Sequence, residues 1–106
     1  MTGWRPVDVR LDAGAGELQG ARVAGYDLVF LQVAGAWHAY EDECPHVGCQ
    51  FSQDGELVDG VLICNCHGAE FDAASGDLLE GPAETPLVSR PVRLSEGRLE
   101  VDLEGA

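Results

Sequence analysis

Apolar positions in this chain recur at every second residue over short segments, and each segment stops at a glycine-rich or acidic turn. Leu99, Val101 and Leu103 alternate cleanly with other residues, which predicts a strand with one buried face. Leu28-Val29-Phe30-Leu31 form an unbroken apolar run within Asp27–Val33, which predicts a buried strand. Further strands are expected at Trp4–Val9, Leu18–Val23, Ala36–Tyr40, Glu56–Val58, Val61–Cys64, Ala69–Asp72, Asp77–Leu79 and Val88–Leu94. The turn signals between them are Gly14-Ala15-Gly16, Gly25-Tyr26, Ala34-Gly35, Asp54-Gly55, Asp59-Gly60, Ser75-Gly76 and Glu96-Gly97, with a proline loop at Gly81–Pro86. No segment carries a helical period, so the fold class is all-β. Trp4, Phe30, Trp37 and Tyr40 fall on apolar strand patterns and are expected in the core.

A chain of 106 residues without repeat or linker is expected to form one domain over residues 1–106. No apolar run approaches the roughly 20 residues of a membrane span. The first residues, MTGWRPVDV, lack the basic and apolar regions of a secretory signal, so the expected location is the cytoplasm. Nineteen acids stand against six arginines and no lysine, a formal charge of -13, which argues against nucleic acid or an anionic membrane as partner. A basic protein surface stays open as a partner. Glu41-Asp42-Glu43 is read as a docking patch for it, with an ordinary solvated loop as the alternative.

Composition matters most between Cys44 and Phe71, which holds all four cysteines and two of the three histidines. Cys44-Pro45-His46 and Cys64-Asn65-Cys66-His67 are separated by seventeen residues, Val47–Ile63, so two ligand-bearing loops are joined by a hairpin. Four cysteines in a cytosolic chain point to metal or redox chemistry. Two thiolates and two imidazoles could close a tetrahedral zinc site, but zinc modules usually pair cysteine with cysteine and histidine with histidine. Here each loop supplies one of each, which suits a two-iron cluster with both sulfurs on one iron and both nitrogens on the other. A structural zinc module remains the alternative. Haem attachment needs C-x-x-C-H, which is absent. His38 lies alone between Trp37 and Ala39 and is expected to be structural or exposed, not a ligand. Neither a nucleophile–base constellation nor a glycine-rich nucleotide loop appears, so no enzyme and no small-molecule substrate is expected.

Cys44-Pro45-His46, seventeen residues, then Cys64-x-x-His67 followed by Gly68 resembles the signature of Rieske-type [2Fe-2S] proteins. The similarity extends from the Asp27–Tyr40 hairpin through the segment FDAASGDLLEGPAETPL to the final strands. The resemblance implies a fold of three stacked antiparallel sheets, with one [2Fe-2S] cluster at the tip of a subdomain spanning about residues 43–85. Cys44 and Cys64 would bind one iron, His46 and His67 the other. The chain is most similar to soluble Rieske ferredoxins, which carry single electrons from a flavoprotein reductase to an oxygenase; the small Rieske subunit of a nitrite reductase is a neighbouring reading. Cys49 and Cys66 occupy positions where bc-type Rieske proteins have a disulfide, and the resemblance implies that pairing here, although ferredoxins commonly lack it; two small buried thiols in a reducing cytosol are the alternative. The bc-type second loop also carries Ser and Tyr hydroxyls that donate to cluster and ligand sulfur. Those positions read Ala69 and Phe71, which implies a reduction potential towards the low end of the family's range.

Overall fold

The structure, a computed structural model, describes residues 3–12, 14, 16–43, 49–66, 68–81 and 85–103. Eleven strands and one short helix occur among them. Strands β1 (Trp4–Val7), β11 (Arg98–Asp102) and β10 (Val92–Ser95) form an outer sheet in that order. Strands β2 (Gln19–Val23), β3 (Tyr26–Val33), β4 (Ala36–Glu41) and β9 (Ser89–Arg90) form a middle sheet. Strands β5 (Gly55–Val58), β6 (Val61–Cys64), β7 (Ala69–Asp72) and β8 (Leu78–Glu80) form the third, preceded by the one-turn helix α1 (Phe51–Asp54). Every pairing is antiparallel.

The layering follows from β3. Its run Leu28-Val29-Phe30-Leu31 has no exposed surface at any of the four positions. Successive side chains on a strand point to opposite faces. Val29 and Leu31 therefore join Tyr40, Phe51, Leu62, Phe71 and Leu87 in one core, whereas Leu28 and Phe30 join Val7, Val23, Leu99 and Val101 in another. A strand that feeds two cores must lie between two layers. Full burial of each such side chain contributes roughly 1.5 to 3 kcal/mol.

Tight turns set the registers. Ala24-Gly25, Ala34-Gly35, Asp59-Gly60 and Glu96-Gly97 each place two consecutive residues at positive φ, 50–53° for the first and 77–88° for the glycine. Two such residues make the type I′ turn, whose twist matches that of the flanking strands. A different turn joins β7 to β8: the Asp72 carboxylate accepts the Ala74 and Ser75 N–H groups at 2.9 and 3.0 Å. Those bonds hold its pKa below the usual carboxylate range.

Several expectations need correction. The strand expected at Val88–Leu94 is two strands, divided at Pro91: Ser89–Arg90 pair with β4 in the middle sheet, and Val92–Ser95 pair with β11 in the outer one. Proline lacks the N–H needed to continue a ladder, and the chain changes sheets at that residue. The helix at Phe51–Asp54 has no counterpart in the sequence reading, because four residues are too few to display a period. Phe30 and Tyr40 are buried as expected, but Trp4 and Trp37 are only partly so, and the guanidinium of Arg93 lies 4.1 Å from the Trp4 ring centroid. His38 is partly buried on β4 opposite Leu31. Glu41 and Asp42 do not form a solvated patch: Glu41 is ion-paired with the buried Arg90, and Asp42 is only 4% exposed. Only Glu43 of the three is exposed.

Tyr40 joins the middle sheet to the third. Its hydroxyl donates to the Ala73 carbonyl at 2.7 Å in a buried setting, and its ring lies where a Cβ on Gly76 would approach to 2.9 Å. Burial, with Asp72 and Asp77 nearby, pushes the phenol up to about 12. A raised phenol pKa means that the folded protein holds this proton more tightly than the unfolded chain. The stabilisation is fully present below about pH 10 and is lost as pH rises towards 12. Tyr40→Phe is expected to cost about 1 to 2 kcal/mol in urea unfolding at neutral pH. The same substitution should flatten the loss of stability between about pH 10 and 12; an unchanged alkaline slope would contradict the assignment.

Candidate metal centre

The third sheet brings the cysteine-rich segment together. The β5–β6 hairpin pairs Gly55 with Cys64, and β7 places Ala69 on the other side of Cys64. Cys64 ends β6 with its side chain turned inward beside Leu62, and it is 1% exposed. The chain then reverses sharply: the Gly68 N–H donates to the Cys64 carbonyl at 2.8 Å, with Gly68 at φ 77°. The Asn65 N–H donates to the Asp54 carbonyl at 3.0 Å, which ties this second loop to the end of α1.

Cys49 and Cys66 form a disulfide across a Cα–Cα distance of 6.6 Å, as the resemblance implied. The bond links the segment leading into α1, two residues ahead of the helix, to the second loop, so these two chain segments are covalently joined. The sulfurs of Cys49, Cys64 and Cys66 lie within 4.8 Å of one another. At first sight that is a three-cysteine metal site. Two of the sulfurs, however, are bonded to each other and cannot act as thiolates, so Cys64 supplies the thiolate in this trio. A zinc module built on cysteine needs more than that. A single inward-facing thiolate beneath a disulfide fits the donor set of a cluster whose other ligands come from a different loop and from imidazole. Cys44, His46 and His67, the other three expected ligands, lie outside the described residues.

Among the described residues, the core that Cys64 joins is apolar. Ala69 and Phe71 are fully buried, and Phe71 meets Phe51 edge-on, with centroids 5.9 Å apart and planes at 87°. The chain leaving β8 crosses directly over Ala69: a Cβ on Gly81 would lie 2.5 Å from the Ala69 Cα. Neither Ala69 nor Phe71 has a side-chain hydrogen-bond donor, and both belong to the same core as Cys64. Low polarity and missing donors both disfavour added negative charge.

Two features of this neighbourhood escape a reading of the sequence. One is the Phe51 anchor of α1, which has no periodicity to announce it. The other is the pairing of the Asp42 carboxylate with Ser52, where the Ser52 N–H donates to Asp42 at 2.9 Å and its hydroxyl donates to the second carboxylate oxygen. An acid among other acids looks solvated until its burial is known.

No helix among the described residues is long and apolar enough to cross a membrane. Residues 3–99 match the family described as the Rieske [2Fe-2S] domain. The ferredoxin component of an alkene monooxygenase system from Xanthobacter autotrophicus is 30% identical, over 88% of this chain and 75% of its own length. The ferredoxin component of the p-cumate 2,3-dioxygenase system from Pseudomonas putida is 32% identical, over 87% of this chain and 79% of its own. Among solved structures, one from a complex of reduced oxygenase and oxidized ferredoxin in carbazole 1,9a-dioxygenase superposes with a TM-score of 0.83 at 28% identity, covering 96% of this chain and 94% of that one. The chain thus belongs to the Rieske [2Fe-2S] domain family and, like the ferredoxin components it matches, is an electron carrier with one [2Fe-2S] cluster rather than an enzyme.

Proposed function

We propose that this chain carries single electrons from a flavoprotein reductase to an oxygenase in the cytoplasm, with Cys44 and Cys64 holding one iron and His46 and His67 the other. The reading treats residues 1–106 as one domain, with the cluster-binding subdomain at about 43–85. The observation that carries it is Cys64: a buried thiol at the end of the hairpin strand, under a disulfide that joins the two flanking segments. The oxygenase systems of the two curated relatives support the partner class. The cluster, when bound, supplies one site that accepts and releases a single electron.

The protein's own part is positional and electrostatic. The paired strands β6 and β7 fix Cys64, the disulfide would cover a cluster held there, and the buried Phe51 and Phe71, in the same core as Cys64, would keep water from its inner side. The chain's charge of -13 favours encounter with a basic surface.

Three outcomes are expected. Cys44→Ser or Cys64→Ser should abolish the visible absorption of the purified protein, and His67→Ala should yield a folded, colourless chain. An unchanged spectrum in His67→Ala would sink the ligand set. The wild-type potential, measured by voltammetry, should lie in the lower part of the family range of about -150 to +300 mV. Ala69→Ser and Phe71→Tyr should each raise it; one donor bond of roughly 1.5 to 3 kcal/mol corresponds to about 60 to 130 mV for one electron. Electron transfer from reductase to oxygenase, reconstituted with this carrier, should slow as salt is raised. Rates that stay flat across the salt series would reduce the acidic surface to a solubility device.

A further inference from the structure

The end of β4 is tied to its surroundings by several bonds. The Glu41 N–H donates to the Val88 carbonyl and the Asp42 N–H to the Asp27 carbonyl, each at 2.9 Å. The Arg90 guanidinium pairs with the Glu41 carboxylate. One bond set goes further along the chain. Asp42, 4% exposed, uses both carboxylate oxygens on Ser52, ten residues later: one accepts the Ser52 N–H at 2.9 Å and the other accepts its hydroxyl. The carboxylate therefore joins the chain just before residues 44–48 to the chain just after them.

The same contact caps α1. Gln50, at the N-cap position, makes no side-chain cap bond, so the Ser52 N–H in the first turn would otherwise lack a partner. A third element seats the pair. At Gly20 of β2, a Cβ would lie 2.7 Å from the Ser52 hydroxyl oxygen, 2.8 Å from the Ser52 Cβ and 3.4 Å from the Asp42 carboxylate. Only a residue without a side chain leaves room there. Burying a carboxylate costs free energy unless its bonds are made, and a junction that needed only packing could be closed with apolar side chains. What a doubly bonded carboxylate adds is a fixed separation between two chain segments.

We propose that Asp42 is a positioning residue for the first ligand loop: its clamp on Ser52, seated on Gly20, fixes the two ends of the segment that carries Cys44 and His46. The proposal rests on the ligand reading given above. The clamp also acts on the disulfide, since Cys49 precedes α1 by two residues and is bonded to Cys66.

The test compares the cluster-loaded wild type with Asp42→Ala, Asp42→Asn, Ser52→Ala and Gly20→Ala. Readouts are the electron paramagnetic resonance spectrum of the reduced protein, the rate of bleaching in mild denaturant and the thermal midpoint. Ser52→Ala and Gly20→Ala leave the charge unchanged, so any spectral change reports geometry. Both are expected to shift the resonance spectrum and to bleach at least about tenfold faster, the factor that 1.4 kcal/mol represents. Asp42→Asn, whose amide oxygen can still accept the Ser52 N–H, should bleach much more slowly than Asp42→Ala. A lowered thermal midpoint with wild-type spectra and bleaching in both charge-neutral variants would overturn the proposal, since the clamp would then support only the fold. Equal bleaching of Asp42→Asn and Asp42→Ala would also count against it. A wild type that lacks a two-iron signal altogether would instead overturn the ligand reading, and the clamp's role with it.

Discussion

Two-sided burial of β3 is the constraint on which this molecule depends. Four adjacent side chains without exposure cannot be accommodated by one core, so a layer must cover each face of the middle sheet. One cover is the outer sheet formed by the first and last strands. The other is the meander that carries the cysteine-rich segment. The site is thus built on the scaffold's own packing face: the core that buries Val29 and Leu31 also buries Cys64, Ala69 and Phe71. A change in how β3 packs against its neighbour is a change beneath the metal centre.

Precision at the centre comes from short-range devices. The Asp59-Gly60 turn sets the β5–β6 register, and that register puts Cys64 opposite Gly55 on one side and Ala69 on the other. The disulfide and the Asn65–Asp54 main-chain bond then tie the second loop to the segment around α1. Among the described residues, Cys64 shares its core with alanine and phenylalanine side chains, while the molecule as a whole is strongly acidic. The two scales act on different steps. Local polarity bears on the energy of the reduced state, and long-range charge bears on encounter with another protein.

Much of this was legible in the residues. Val61–Cys64 and Ala69–Asp72 have the expected bounds, because the Asp59-Gly60 turn precedes the first, the Ser75-Gly76 turn follows the second, and the cysteine-rich loop separates the two. The ligand spacing pointed to the family, and the run at Leu28–Leu31 pointed to the buried strand. Periodicity reports which face of a strand is apolar, but not which sheet the strand joins. Hence Val88–Leu94 read as one strand although its two halves pair with different layers. Likewise, Glu41-Asp42-Glu43 has the composition of a solvated loop, and only the three-dimensional position of Ser52 and Arg90 buries Asp42 and ties down the half-exposed Glu41. Burial of an acid depends on partners far along the chain, and a local pattern does not encode them.

The sheet order has a consequence for how the molecule assembles. Strands β5 to β8 pair in sequence order, between Gly55 and Glu80, so each ladder closes over a short stretch of chain. The outer sheet is the opposite case: Trp4 faces Asp102, and nearly the whole polypeptide lies between the two partners. Closing a long loop costs more chain entropy, and non-local pairings slow folding. On the ribosome the cysteine-bearing meander emerges before β11, while β1 still waits for its only neighbour in the sheet. The order of synthesis therefore lets the metal-binding layer form first and leaves closure of the scaffold to the end.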